Sequence, residues 1–229
     1  MLHQLPTRPA NGLRVLDLCC CAGGAAMGYH SAGFEVTGVD LDPQPNYPFE
    51  FVQADAVAYA TANAHRFDLV HASPPCQTHS ALTKGTNKGR TYPDLVAPLR
   101  DTLTAAGVPF VLENVQGSPL RRDLTLCGEM FGLGVIRHRY FELHGFTVPA
   151  PTHRPHRGRV AGMRHGKWYD GPYFAVYGEG GGKGTVPQWQ NAMGIHWTTV
   201  RREIAEAIPP AYTAHIAHAF LANRAGAAA

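Results

Sequence analysis

The residue best placed to act as a nucleophile is Cys76, which lies in the segment Ser73-Pro74-Pro75-Cys76-Gln77 directly after an apolar run. The two prolines stiffen the backbone in front of the thiol, and a nucleophilic cysteine needs such fixed placement together with partial exposure. Only its thiolate form attacks. A lone cysteine is more often a small buried hydrophobic residue, and that interpretation is favoured for Cys127.

A second group with matching chemistry is Glu113, which lies with Asn114 and Val115 at the end of the apolar run that begins at Phe110. A carboxyl group at that position is partly desolvated, which raises its pKa and keeps a proton on it near neutral pH. A protonated carboxyl group beside a thiolate suits attack on an electron-poor ring, because one group adds while the other protonates or holds a ring nitrogen. The alternative is a strand-end glutamate in a salt bridge.

A turn of small residues between Asp17 and Gly28 is the third candidate site. Small side chains let a ligand approach the backbone amides at the start of the following helix. Asp40 ends the next strand, from which a carboxylate can accept hydrogen bonds from ribose hydroxyls, and Asp55 ends the third strand, where it can face an adenine amino group. Three solvated aspartates beside a plain turn are the alternative, but two correctly spaced acids favour a nucleoside cofactor.

Arg137 and Arg139 are predicted to lie on a strand, where residues two apart point to the same face. They either meet a phosphate and a base oxygen or flank a solvated strand edge. The pattern alone does not decide between these two interpretations.

Short apolar runs that alternate with helical patterns position these groups. Strands are predicted over residues 14–18, 35–40, 49–55, 67–73 and 109–115, with helices ending near residue 32 and covering 56–64 and about 94–106. This alternation indicates a largely parallel sheet covered on both faces, an α/β, Rossmann-like fold. The carboxyl ends of its strands, where such sheets bind ligands, carry the candidate groups.

The pattern breaks between residues 142 and 186, which are rich in Pro, Gly, His and Arg and predict a small loop-rich lobe. Helical order then returns, because Tyr212, Ile216, Ala219 and Phe220 form one apolar stripe. We therefore expect a main domain made of residues 1–141 and 187–229, with the lobe inserted between its two parts.

Length and composition exclude several classes of protein. The chain has 229 residues, 45% hydrophobic and 16% charged, which suits one α/β domain with a modest insert and disfavours disorder. It contains no run of about 18 apolar residues and lacks the apolar core of a signal peptide, so we expect a soluble, cytoplasmic protein. A net charge of +3 does not by itself indicate a nucleic-acid partner.

The cysteines predict neither a disulfide framework nor a metal centre. The chain has five, and three of them (Cys19, Cys20 and Cys21) are adjacent, so they cannot easily connect distant loops. There is no CxxC pair, and His153 and His156 have no second ligand pair nearby. We therefore expect no bound metal.

In their type and order, these motifs resemble those of the DNA (cytosine-5) methyltransferases, which use S-adenosylmethionine (SAM). DLCCCAGGAAMGYHSAGF resembles that family's cofactor loop, GVDLDP its ribose-binding turn, SPPCQTHS its Pro-Cys-Gln nucleophile loop and LENV its Glu-Asn-Val motif. IRHRYF is similar to its QxRxR strand and AEAIPPAY to its final GNAVPP segment. The resemblance covers residues 13–141 and 187–222.

This resemblance implies transfer of a methyl group from SAM to carbon 5 of a flipped cytosine in double-stranded DNA, by a monomer that recognises a short site through residues 142–186. Cys76 would attack carbon 6 and Glu113 would bind ring nitrogen 3, while Arg139 would contact the ring oxygen with Arg137 nearby. The implied cofactor contacts are Asp17, Cys19, Ala22, Gly23, Gly24, Asp40, Leu41, Asp55, Ala56 and Pro75.

The expected DNA contacts are polar and basic residues near the nucleophile and in the lobe. They are Gln77, Ser80, Lys84, Lys88, Arg90, Arg157, Arg159 and Arg164. The stretch from residue 79 to 93 is basic, lacks acids before Pro93 and contains two glycines, which predicts a lid that closes over the DNA backbone. Aromatic residues interleaved with the basic ones of the lobe can wedge or pack against DNA; the alternative is a solvated basic loop around a small aromatic core.

Five residues depart from the family's pattern: Cys19 replaces a usual Phe, Cys21 a Gly, Val135 a Gln, Ala205 a Gly and Glu206 an Asn. Two other functions therefore remain open. One keeps the mechanism but methylates tRNA, since a close relative of the family does so. The other is a DNA-binding protein with a degraded cofactor pocket, which the intact nucleophile loop disfavours.

Overall fold

The computed structural model describes residues 11–77, 79, 92–178 and 182–227. Its strands are β1 (Arg14–Leu18), β2 (Glu35–Asp40), β3 (Glu50–Gln53), β4 (Leu69–Ala72), β5 (Phe110–Val115), β6 (Leu124–Leu126), β7 (Arg139–His144), β8 (Val160–Arg164), β9 (Lys167–Tyr169) and β10 (Tyr173–Phe174). Its α-helices are α1 (Gly24–Ser31), α2 (Ala56–Asn63), α3 (Val96–Ala106), α4 (Val186–Met193), α5 (Arg201–Glu206) and α6 (Pro210–Ala227).

Seven strands form the central sheet in the order β3-β2-β1-β4-β5-β7-β6. The strands from β3 to β5 in this order are parallel, whereas β7 is antiparallel to both of its neighbours. The chain moves outward from β1 to β3 and returns to β4 on the other side of β1, so the strand order reverses between β1 and β4. A ligand crevice lies beyond the strand ends at such a reversal. The α/β fold predicted from the sequence is confirmed.

Helices cover both faces of this sheet. Successive residues of β1 point to opposite faces: Val15 belongs to the buried cluster that includes α1 and α6, and Leu16 to the cluster that includes α2 and α3. The apolar stripe predicted on the last helix is buried at Tyr212, Ile216 and Phe220. Burial on both faces explains why the central strands are continuous apolar runs.

Close contact between α1 and the start of α6 depends on two glycines. A Cβ added to Gly28 would lie 2.2 Å from the backbone oxygen of Pro210, and one added to Gly24 would lie 2.4 Å from that of Ile208. Across the same contact, the hydroxyl of Thr213 donates a hydrogen bond of 2.8 Å to the carbonyl of Ala25. No larger side chain fits at either glycine without moving backbone.

Asp17 is a fully buried carboxyl group at the carboxyl end of β1. It lies close to the amide of Ala26 and the hydroxyl of Tyr47, although neither makes a hydrogen bond of good geometry with it. Burial raises the pKa of Asp17 well above its ordinary value, and the negative charges of Asp40 and Glu113 act in the same direction. A proton is therefore held on this carboxyl group more tightly in the folded protein than in the unfolded chain.

The small lobe is built on a second sheet in the order β10-β8-β9. A two-residue turn joins β8 to β9, and its φ values of 49° at His165 and 75° at Gly166 match the type I′ turn that suits such hairpins. Because β7 continues in the central sheet to His144, the boundary expected at residue 141 falls inside a strand. The lobe begins after β7.

A third buried cluster connects the lobe to the C-terminal helices. It includes Val176 of the lobe, Trp189 and Met193 of α4, Ile204 of α5 and Val135 of the segment before β7. The family's glutamine position is thus filled here by a core residue, and the lobe shares its core with the main domain.

Strand and helix ends differ slightly from the sequence predictions. β3 ends at Gln53 rather than Asp55, because Asp55 is the N-cap of α2 and accepts a hydrogen bond of 2.8 Å from the amide of Ala58. Among the described residues, no helix is long and apolar enough to cross a membrane.

We expect Gly28→Ala to lower the free energy of unfolding by about 1–3 kcal/mol, because the added Cβ overpacks the contact between α1 and α6. Gly226→Ala is the matched control, since a Cβ at Gly226 meets nothing within 4 Å. It should be neutral or slightly stabilising. Urea denaturation of both variants measures the difference, and equal stabilities would contradict the role given to Gly28.

Asp17→Asn should stabilise the protein more at about pH 8 than at about pH 5. An aspartate in the unfolded chain has a pKa near 3.9, and the pKa of Asp17 in the folded protein is higher. Protonated Asp17 therefore contributes its full stability below about pH 3.9. That contribution is lost as the pH rises toward the pKa of Asp17 in the folded protein. Removing the charge should gain up to ~1.4 kcal/mol per pH unit across that window.

Denaturation at both pH values, without added ligand, measures this effect. Asp42→Asn, at an exposed position, should change stability equally at the two pH values. If the difference between Asp17→Asn and the wild type stayed constant with pH, Asp17 would not be the titrating group.

Candidate active site

The loop that carries Cys76 leaves the sheet directly beside the turn that follows β1. The amide of Ser73, just after β4, donates a hydrogen bond of 3.1 Å to the carbonyl of Leu18 at the end of β1. Asn114 of β5 holds the other side of the loop, because its side-chain amide donates a 3.0 Å hydrogen bond to the carbonyl of Pro74. The nucleophile loop is therefore fixed from two neighbouring strands.

Cys76 is partly exposed and has no disulfide partner. Burial raises the pKa of its thiol, and the nearby carboxylate of Glu113 raises it further, while the positive charges of Arg139 and Arg137 lower it. The thiol is thus protonated in the resting protein, and neutralising Glu113 removes one of the two causes that oppose the thiolate. The partial exposure of Cys76 meets one requirement of the predicted nucleophile, and the two arginines favour the thiolate.

Glu113 is buried, and its carboxylate forms an ion pair with Arg139, with 2.9 Å between Oε1 and Nε. In the antiparallel pairing of β5 and β7, Arg139 lies opposite Val115, so its side chain shares a face with Glu113 two residues away. Burial raises the pKa of Glu113, although Arg139 and a hydrogen bond from Ser73 lower it. Both predicted properties of Glu113, the raised pKa and the salt bridge, are present together.

A buried hydrogen-bond chain behind Glu113 was not predicted from the sequence. The hydroxyl of Tyr29 lies 3.0 Å from Nδ1 of His71, and Nε2 of His71 lies 3.0 Å from Oγ of Ser73. Burial lowers the pKa of His71 to about 3, so its ring is neutral. With Tyr29 donating to Nδ1, the ring donates to Ser73 and leaves the Ser73 hydroxyl to donate to Glu113. The sequence feature that could have indicated this chain is His71, a histidine within the apolar run of a predicted strand.

The turn after β1 is held against Asp40. The backbone amide of Cys21 donates a 3.0 Å hydrogen bond to Oδ2 of Asp40, and the amide of Asp42 donates one of 3.1 Å to Oδ1. Cys19 and Cys21 have φ values of 55° and 44°, in the left-handed region that favours glycine. Cys21 therefore keeps a glycine-like backbone at the position where the resembled family has glycine.

The small residues of this turn also serve packing. Gly23 and Gly24 are buried, and a Cβ on Gly23 would lie 3.0–3.1 Å from Pro48 and Tyr47. Ala22 is also buried, and its carbonyl accepts a 2.7 Å hydrogen bond from the indole of Trp197. These contacts hold the turn in place, and Ala22, Gly23 and Gly24 stay predicted cofactor contacts.

Carboxyl groups surround the turn and make it a poor place for a thiolate. Burial raises the pKa of Cys19, Cys20 and Cys21, and Asp17 and Asp40 raise all three further. These thiols stay protonated, so none of them competes with Cys76 as a nucleophile.

The open edge of the crevice carries the outermost of the predicted cofactor contacts. Leu41 is 67% exposed, Asp55 is exposed, Pro75 is half-buried, and Ala56 is buried at the start of α2. Asp17, by contrast, is fully buried beneath the turn. It does not face the solvent, and its raised pKa favours the protonated, neutral carboxyl group.

Arg137 does not join Arg139 in the crevice. The strand β7 starts at Arg139, so the expected strand geometry of the pair does not hold. The guanidinium of Arg137 is buried and donates hydrogen bonds to the carbonyls of Val176 (2.8 Å) and Ala205. Burial, reinforced by the charge of Arg139, lowers the pKa of Arg137 to about 9. Arg137 therefore connects the lobe to α5.

The predicted DNA contacts of the lobe divide into two groups. Arg157 is held in an ion pair of 2.9 Å with Glu129. Arg159, Arg164 and Lys167 instead surround the ring of Tyr169, with their charged groups 5.1, 5.9 and 5.8 Å from its centroid. We call these four residues the Tyr169 patch; its three basic residues are exposed.

Near the nucleophile, Gln77 is half-buried and follows Cys76 directly. The other predicted contacts of that loop, Ser80, Lys84, Lys88 and Arg90, lie outside the described residues.

Four potential metal ligands come together at the junction of the lobe and the main domain: Cys127, His138, His153 and His156. The sequence analysis expected no second ligand pair beside His153 and His156. It was wrong because Cys127 and His138 are brought to that place by strand pairing, which local spacing does not reveal.

Comparison with known proteins agrees with this geometry. The model of the C-5 cytosine-specific DNA methylase family matches residues 13–122, which include the turn after β1, the nucleophile loop and β5. A search of the curated proteins gave no match.

Solved structures with a similar fold include the Dnmt2 methyltransferase of S. pombe, with a TM-score of 0.62 and 14% identity over 92% of this chain and 99% of that protein. A DNMT2 mutant from Spodoptera frugiperda gives a TM-score of 0.46 and 19% identity over 63% of this chain and 56% of that protein. At such identities the first likeness shows the fold alone.

The residues at the crevice fit SAM. This cofactor combines ribose hydroxyls and an adenine ring with a positively charged sulfonium, and the crevice offers an oriented carboxylate at Asp40, an exposed one at Asp55 and an exposed apolar side chain at Leu41. Each carboxylate oxygen has a second lone pair beyond the backbone bond it already accepts. SAM therefore suits this crevice as the cofactor, and over residues 13–122 the chain is similar to the C-5 cytosine-specific DNA methylase family.

Proposed function

We propose that the protein transfers a methyl group from SAM to carbon 5 of a cytosine in double-stranded DNA. The observation that carries this proposal is the position of Cys76 beside the ion pair of Glu113 and Arg139, next to the acidic turn after β1. In the proposed division of labour the main domain binds SAM and performs the chemistry, and the lobe after β7 recognises the target.

The proposed reaction begins with addition of the Cys76 thiolate to carbon 6 of the cytosine. Carbon 5 of the free base is a poor nucleophile, and a bond from sulfur to carbon 6 makes it electron-rich. SAM supplies the methyl group that carbon 5 takes up. A base then removes the carbon 5 proton, the bond between carbon 6 and sulfur breaks, and the electron pair leaves with sulfur as the Cys76 thiolate.

Glu113 is suited to control the charge on the ring during this addition. Its raised pKa favours the protonated form compared with an ordinary glutamate, and that proton can pass to ring nitrogen 3 as sulfur adds. Arg139 keeps the carboxyl group oriented and can contact the ring oxygen. The chain from Tyr29 through His71 to Ser73 fixes Glu113 from behind without carrying charge, because His71 is neutral.

DNA is the proposed acceptor because exposed basic groups lie together in the lobe. Arg159, Arg164 and Lys167 of the Tyr169 patch are exposed, and exposed arginine and lysine bind phosphates. A cytosine inside a duplex is out of reach of a thiol, so the base must leave the stack to meet Cys76. Methylation of tRNA uses the same chemistry and is the second candidate. The intact Cys76, Glu113 and Arg139 argue against a degraded DNA-binding homologue.

The test offers labelled SAM with three acceptors: duplex DNA, the same duplex with every cytosine replaced by 5-methylcytosine, and tRNA. We expect label in unmodified duplex only. Label that enters only tRNA would overturn the DNA assignment while keeping the chemistry. Failure of all three acceptors, together with no SAM binding by calorimetry, would overturn the enzyme assignment.

Cys76→Ser should reduce methyl transfer at least ~10³-fold, because a hydroxyl ionises far less readily than a thiol. SAM and DNA binding, measured by calorimetry and fluorescence anisotropy, should persist and serve as the control for folding. Near-full turnover by this variant would show that another group is the nucleophile.

The double variant Arg159→Ala/Arg164→Ala should weaken duplex binding by about 10-fold and reduce the salt dependence of log K by about 1.8, as expected for two lost phosphate contacts. Arg66→Ala is the control, because this exposed arginine precedes β4 at the amino ends of the parallel strands, away from the crevice. Fluorescence anisotropy across a salt series measures both quantities. Equal losses of duplex affinity in the double variant and in Arg66→Ala would show that the lobe does not contact DNA.

A further inference from the structure

Cys127, His138, His153 and His156 converge at a point that takes no part in the proposed reaction. Each offers one ligand atom, and these four atoms all lie within 4.8 Å of one another. The centroids of the three imidazole rings are 5.1–5.4 Å apart, and Sγ of Cys127 is 3.5 Å from Nε2 of His156.

Two of these residues are placed by the pairing of β6 with β7. Leu126 pairs with Arg139, so one further step of the antiparallel register sets Cys127 opposite His138. Both lie on the central sheet's side of the junction, and Cys127 is fully buried.

The other two residues come from the lobe. His153 and His156 lie three residues apart on the segment between β7 and β8, which has no helix or strand of its own. Both are exposed. The segment therefore brings two imidazoles to a thiol and an imidazole that the sheet already holds in place.

The donor types suit zinc, and one distance between them fits a tetrahedral zinc site. With Zn–N and Zn–S bonds of about 2.0–2.1 and 2.3 Å, the edges of a tetrahedron are ~3.3 Å between two nitrogens and ~3.6 Å between nitrogen and sulfur. The distance of 3.5 Å between Cys127 and His156 already equals the second edge. A thiolate with three imidazoles is a ligand set of borderline softness that suits Zn²⁺ better than Mg²⁺ or Ca²⁺.

We propose that these four side chains bind one Zn²⁺ ion that joins the lobe to the main domain. Four protein ligands complete the tetrahedron and leave no position for water, so the ion is structural and not catalytic. The surrounding contacts support the arrangement: Glu129, whose carboxylate lies near His156, also bonds Arg157 and the hydroxyl of Tyr173. Carboxylates near metal-bound histidines commonly orient the imidazole ring.

The first experiment measures zinc in the full chain purified without chelators, by mass spectrometry of the metal. We expect about one zinc per chain in the wild type and less than about a tenth of that in Cys127→Ser and His153→Ala, because each loses a ligand. His218→Ala, at an exposed position of α6 outside the cluster, should keep its zinc. His153 is exposed, so its removal leaves the core intact.

The second experiment replaces zinc with Co²⁺ and records the absorption spectrum. A thiolate-to-cobalt band with strong visible ligand-field bands is expected for the wild type and for Cys76→Ser, and the thiolate band should vanish in Cys127→Ser. A wild type that binds neither metal, or a thiolate band that survives in Cys127→Ser, would overturn the proposal. Neither readout depends on methyl transfer.

Discussion

The crevice depends on the parallel pairing of β1 with β4. Because the strand order reverses between these two strands, the turn after β1 and the loop after β4 leave the sheet side by side, joined by the hydrogen bond from Ser73 to Leu18. The next strand, β5, adds Glu113 and steadies the loop through Asn114. A shift in this pairing would separate the thiol from the carboxyl group and from the acidic turn at once.

Apolar runs and their polar ends were enough to predict the parallel strands and the two groups at their carboxyl ends, Cys76 and Glu113. The strand predictions succeed because central strands are buried on both faces and therefore form continuous apolar runs. The polar residues that end each run can be recognised from neighbouring residues alone. Gly24 shows the limit of prediction from sequence. A glycine allows a packed helix to come close to the backbone just as it allows a ligand to do so. Local spacing also placed Arg137 on a strand that in fact starts two residues later.

Groups whose roles depend on distant partners were missed. His71 interrupts an apolar run, and only the folded structure shows that Tyr29 and Ser73 satisfy both of its ring nitrogens. The pairing of Cys127 with His138 follows from strand register, which the spacing of cysteines and histidines along the chain does not contain. Tertiary contacts, not composition, decide these positions.

The packing of α6 against α1 has a consequence for biosynthesis. Thr213 bonds to Ala25 across 188 residues of sequence, so the face of the sheet that carries α1 stays uncovered until α6 has left the ribosome. The N-terminal strands can pair earlier, but part of their apolar face then lacks its partner helix. Until the segment that forms α6 is made, this face of the sheet lacks Tyr212, Ile216 and Phe220, which complete its buried cluster.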